Sequence, residues 1–115
     1  MSYKLDLNAD ISDTSWVDAI KVAPAEFVRI FGGPHRYLDE RKVSGLYSFI
    51  DGEKVFTVYD WKSTSLWGDD LPSPLAFWNS RRQVELSIGG SCEDAAEFRS
   101  WLLQLIATHL SELQP

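Results

Sequence analysis

The stretch "KVSGLYSFIDGEKVFTVYDW", residues 42–61, limits the fold of this chain more than any other. Two runs rich in Val, Ile, Phe and Tyr flank Asp51-Gly52, a dipeptide suited to a tight turn because glycine tolerates positive φ. Together they read as an antiparallel hairpin. In the second run Val55, Thr57 and Tyr59 point one way, while Phe56, Val58 and Asp60 point the other. Neither set is strongly polar, so this strand is expected inside a sheet and covered on both sides. Gly45 in the first run marks a bulge or a close approach of backbone.

Weaker signals flank the hairpin. "YKLDLN" alternates through Tyr3, Leu5 and Leu7, the period of a half-buried strand, and "ADISDTS" supplies residues of turns and caps. Trp16, Val17 and Ile20 are expected as apolar anchors on a short helical turn. A fuller helix is predicted from Pro24, since first-turn amides lack partners anyway. It presents Phe27, Val28 and Phe31 on one face and ends at "GGP", residues 32–34. "HRYLDER", residues 35–41, reads as a polar, exposed loop.

"QVELSI" alternates through Val84, Leu86 and Ile88 before "GGS" turns the chain into a last helix. Ser91 and Asp94 fit a capping box, with Glu93 adding negative charge at the helix start. Phe98, Leu102, Leu105, Ile106, His109 and Leu113 then recur at helical spacing over about 20 residues. The expected fold is α+β: a mostly antiparallel four-stranded sheet with two main helices packed on one face, in the order β-α-β-β-β-α. Residues 1–115 form one domain in this reading.

Composition narrows the function classes. Seventeen acidic residues against eleven basic ones leave a formal charge of −6. Such a field repels a phosphate backbone, so no nucleic-acid partner is expected. No apolar run approaches the roughly 18 residues of a membrane span, and the first residues lack the pattern of a signal peptide. The single Cys92 cannot form an intramolecular disulfide and suits a cytoplasmic setting.

Neither a metal nor another cofactor is expected. The chain has two histidines, His35 and His109, and no cysteine pair at zinc spacing. Asp6, Asp10, Asp13 and Asp18 do not match a calcium loop. "FGGPH" and "IGGS" do not continue as phosphate-binding loops. Nor is an enzyme expected. Nothing in the spacing pairs Ser63, Thr64, Ser65 or Ser80 with a base, and the acids beside Cys92 oppose a reactive thiolate.

The segment "DWKSTSLWGDDLPSPLAFWNSRR", residues 60–82, holds three of the five tryptophans in what reads mostly as a loop. In one explanation the segment is a lid whose rings cap the core. In the other, Trp61, Lys62, Trp67, Phe77, Trp78, Arg81 and Arg82 form a binding surface for a protein partner. A small anionic ligand such as a nucleotide is the alternative occupant. "SPLAFWNS" fits one helical turn with Ser73 as cap and Pro74 in the first position. Oligomeric state stays open, since an edge strand at residues 3–8 could pair across a two-fold axis or lie covered.

The string "FGGP…KVSGLYSF…VFTVYDWKSTSLW…FW…IGG" resembles a group of small uncharacterised proteins of phages and bacterial mobile elements. The resemblance spans roughly residues 31–90 and is most specific at "VYDWK", residues 58–62. It implies a small phage-type accessory protein that works by binding. It brings no catalytic residues with it.

Overall fold

The computed structural model describes residues 3–34, 42–92 and 94–112. The elements are β1 (Lys4–Leu5), β2 (Ser15–Val22), α1 (Pro24–Phe31), β3 (Leu46–Asp51), β4 (Lys54–Tyr59), α2 (Pro74–Trp78), β5 (Val84–Gly90) and α3 (Ala96–Glu112). The strands form one antiparallel sheet in the order β1-β3-β4-β5-β2. The α+β class and the antiparallel sheet match expectation; among the described residues there are five strands rather than four, and the one-turn helix expected at "SPLAFWNS" accompanies the two main helices. The segment 35–41, Glu93 and Leu113 lie outside the described residues.

The hairpin forms as its sequence dictates. Asp51 pairs with Lys54 across Gly52 and Glu53, and Gly52 takes a φ of +60°. β4 lies at the centre of the sheet. Phe56 and Val58 face the helices, Thr57 the opposite side, and all three are buried.

β2 corrects the helical turn expected around Trp16. Its pairing with β5 shifts between Trp16, opposite Gly89, and Asp18, opposite Ile88. The extra residue is a β-bulge, which breaks the two-residue alternation and leaves Val17 and Ile20, three positions apart, both packed against the core, while Trp16 stays exposed.

α1 begins at Pro24 and its last turn closes with the Gly32 N–H on the Val28 carbonyl. α2 uses the expected cap: the Ser73 side chain accepts the Ala76 N–H at 3.1 Å. The capping box proposed for α3 does not form. Ser91 Oγ instead accepts the Val55 N–H at 2.9 Å, and Asp94 accepts the Ala96 N–H at 3.0 Å.

All three helices bring aromatic side chains to one face of the sheet. Phe27 of α1 packs edge-on against Tyr47 and Phe49. Phe98 of α3 stacks on Phe56, with ring centres 4.6 Å apart. Trp78 of α2 meets Tyr47 at 5.9 Å. The Tyr47 hydroxyl donates to the Gly32 carbonyl at 2.6 Å, tying the end of α1 to β3.

No described helix covers the other face. There the β1–β2 connection, residues 6–14, runs from one edge of the sheet to the other. Ser48 Oγ, on β3, donates to the Asp6 carbonyl, and Ile11, Ser12 and Thr14 stand beside Thr57 and Gly89. Partial cover of this face leaves a cleft.

The β2 edge carries its own guard. The Ala19 carbonyl accepts Arg99 Nε of α3 at 2.8 Å, and the Ala19 N–H donates to Asp18 Oδ1 at 2.8 Å. Backbone groups that an edge strand would offer to another chain are thereby partly occupied.

Candidate functional site

Where β4 ends, Asp60 turns inward and is completely buried. Its carboxylate accepts the Ser44 N–H at 2.8 Å, the Gly45 N–H at 2.9 Å and the Ser44 hydroxyl at 2.8 Å. Ser44 Oγ in turn accepts Trp78 Nε1 at 3.0 Å. Burial pushes this carboxyl above its ordinary range, and the donors pull it back by less. The approach to β3 is tight: a Cβ on Gly45 would sit 2.7 Å from the Pro34 ring, so it is side chains, rather than the bulge or backbone contact expected, that require glycine there. This network anchors residues 44–45 against residue 60 and so fixes the flanking residues at the surface.

Those flanking residues are Lys42, Trp61 and Lys62. The Lys62 N–H donates to the Lys42 carbonyl at 2.7 Å, and Lys62 takes a φ of +55°, rare for a residue with a side chain. The ammonium groups of Lys42 and Lys62 lie 5.5 and 5.6 Å from the centre of the Trp61 ring. Lys62 also lies 4.6 Å from the Trp67 ring. A turn centred on buried Thr64, whose carbonyl accepts the Trp67 N–H at 2.9 Å, returns Trp67 to this position. Each such contact contributes about 0.5–1 kcal/mol at an exposed site. Trp61 is 47 % exposed and Trp67 42 %.

Behind Trp61 lies the cleft, of about 420 Å³. Its floor is Leu46, Thr57, Tyr59 and Gly89; its walls are the β1–β2 connection on one side and Lys42, Val43 and Trp61 on the other. Gly89 shapes the floor, because a Cβ there would lie 2.4 Å from Thr57 Oγ1. A second depression of about 540 Å³ continues past Tyr59 and Trp61 to Trp16, Glu85 and Ser87. Trp16 is 61 % exposed. Burial holds the Tyr59 phenol above its ordinary value, so it remains a neutral hydroxyl at the seam of the two depressions.

The residues singled out from the sequence divide. Trp61, Lys62 and Trp67 come together. Phe77 and Trp78 do not join them: each is 6 % exposed and belongs to the helix-side core. The lid explanation describes these two rings, because α2 turns both inward. Arg81 and Arg82 are exposed. Arg82 borders a separate hollow with Pro72, Ala76 and Val84, which contains neither Trp61 nor Trp67.

From the sequence, none of Lys42, Tyr59, Trp16, Ser12 and Thr14 is assigned to a binding surface. A signal existed for two of them. The alternation of β4 places Tyr59 on one face with Thr57, and extending the hairpin register past Leu46 and Tyr59 sets Val43 opposite Lys62, with Lys42 next to it.

Among the described residues no group of three or more His, Cys, Asp or Glu side chains is placed to hold a metal ion. Cys92 donates to the Asp94 carbonyl at 3.6 Å, a structural contact. No described helix is long and apolar enough to cross a membrane. No known family model matches the chain, and no curated protein matches it.

Proposed function

We propose that this protein is a non-enzymatic binding protein, an accessory or inhibitor protein of the phage type, that engages a protein partner through Trp61, Lys62 and Trp67. The observation that carries the reading is the pair of half-exposed indoles fixed around one ammonium group. Large rigid rings with a cation between them offer contact area at little cost in side-chain entropy, the chemistry of interface hot spots. The core does not need Trp67, so burial does not account for its position. The acidic remainder of the molecule favours a partner with basic groups around the contact. Phe77, Trp78, Arg81 and Arg82 are not part of this surface.

The test compares Trp61→Ala and Trp67→Ala with Leu75→Ala, which removes the most exposed large apolar side chain among the described residues, on α2. Immobilised proteins capture partners from host lysate, and the captured partner is then titrated in purified form. Loss of a hot-spot tryptophan weakens binding by about 2 kcal/mol, roughly 30-fold, while the Leu75 variant binds as wild type. Equal affinity in all three variants overturns the assignment.

A further inference from the structure

The cleft and its continuation share Trp61 with the protein-binding surface, but the rest of their lining lies outside it. At one end stand Lys42 and the hydroxyl-bearing Ser12 and Thr14; at the other stand Trp16, Glu85 and Ser87; Tyr59 and Trp61 lie between. The two ammonium groups share one ring, so they are at most about 11 Å apart. Flexible lysine stems close that distance around a single anionic group. Among the described residues the only ion pair joins Arg29 and Glu26, so neither ammonium has a described carboxylate within 4.0 Å. In a chain of charge −6 this is a local concentration of positive charge. It suits one doubly charged group better than a polyphosphate, which the wider field repels.

The far end has the opposite character. Glu85 sits across the strand pair from Lys21, and the two are not within ion-pair distance. Its carboxylate accepts hydrogen bonds and donates none, so it selects a ring that carries N–H or NH₂ groups. Trp16, Tyr59 and Trp61 supply aromatic walls on which a flat ring lies. The volumes fall within the roughly 300–1,000 Å³ of pockets that enclose small ligands.

We propose that the cleft is a binding site for a nucleoside monophosphate with an amino-bearing base. The phosphate is held by Lys42, which lines the cleft, together with Lys62, which stands outside the lining on the Trp61 ring, and the base lies against Trp16 and Trp61 with its N–H groups on Glu85. No bond is made or broken in this step. Guanine, with two donor groups on one edge, is the base best matched to a carboxylate; uracil, with no amino group, is matched least.

The test is titration calorimetry, paired with tryptophan fluorescence, using GMP, UMP, guanosine and inorganic phosphate as probes. GMP is expected to bind saturably, at least about tenfold more tightly than UMP, guanosine or phosphate. Its binding weakens with added salt. Lys42→Ala and Lys62→Ala each weaken GMP about tenfold and leave guanosine unchanged. Glu85→Gln removes the preference of GMP over UMP.

Ser12→Trp, a change at an exposed position in the cleft wall, blocks GMP while leaving Trp61, Lys62 and Trp67 in place. It separates this proposal from the protein-binding one: a Ser12 variant that still captures the partner but not GMP supports a distinct ligand site. Absence of saturable GMP binding, equal binding of GMP and UMP, or undiminished GMP binding in the Ser12 variant overturns the proposal.

Discussion

Replacing Asp60 with alanine probes the network that positions the candidate site. The carboxylate is fully buried and takes two backbone amides, from Ser44 and Gly45, besides the Ser44 hydroxyl. Leaving each buried amide without an acceptor costs about 1–3 kcal/mol. Removing a buried carboxylate returns part of that, so the net loss is about 2–4 kcal/mol near neutral pH. Urea unfolding followed by circular dichroism reads this as a midpoint lowered by about 1–2 M.

The loss also depends on pH, and the sign follows from burial. Below the ordinary carboxyl value of 3.8 the side chain is neutral in both states. Because burial raises the folded-state value, the unfolded chain ionises first as pH climbs through that region. The unfolded state then holds fewer protons than the folded one, and the contribution of Asp60 to stability falls until the folded-state carboxyl has ionised too. The deficit of Asp60→Ala is therefore largest at low pH and narrows as pH rises. A deficit that widens instead, or one below about 0.5 kcal/mol at every pH, refutes the reasoning.

Three further perturbations test other parts of the fold. Gly89→Ala places a Cβ 2.4 Å from Thr57 Oγ1 and is expected to cost about 1–3 kcal/mol, most of it recovered when Thr57→Ala is added in a double-mutant cycle. At position 62 the backbone φ of +55° predicts that Lys62→Gly is more stable than Lys62→Ala by about 1 kcal/mol in thermal unfolding, the reverse of the order at ordinary positions. Arg99→Ala leaves the Ala19 carbonyl without its donor; stability is expected to drop by about 1 kcal/mol, and sedimentation velocity is expected to show concentration-dependent association.

The hairpin was legible because its turn chemistry and its β-branched and aromatic runs agree with each other, and β4 sits centrally as its two-sided apolar pattern required. β2 was hidden because one inserted residue at the bulge changes the apparent period of its apolar side chains. Five residues of α2 are too few to reveal which way Phe77 and Trp78 point, and tertiary packing turned both toward Tyr47 and the core.

The candidate site was legible as far as local composition reaches. Trp61, Lys62 and Trp67 lie within one turn-rich segment and Lys42 reaches them through the hairpin, whereas Trp16 and Ser12 join them only through sheet order and the crossing connection. Arg81 and Arg82 show the converse: nearness along the chain did not bring them to the tryptophans.

The contact between Arg99 and Ala19 joins residues 80 positions apart. As the polypeptide leaves the ribosome, eight residues of strand therefore emerge long before the helix that shields their middle. Through that interval nascent copies present one another with adhesive backbone, and a polysome holds such copies close together. Fragments truncated ahead of the last helix are for the same reason expected to clump rather than stay dispersed.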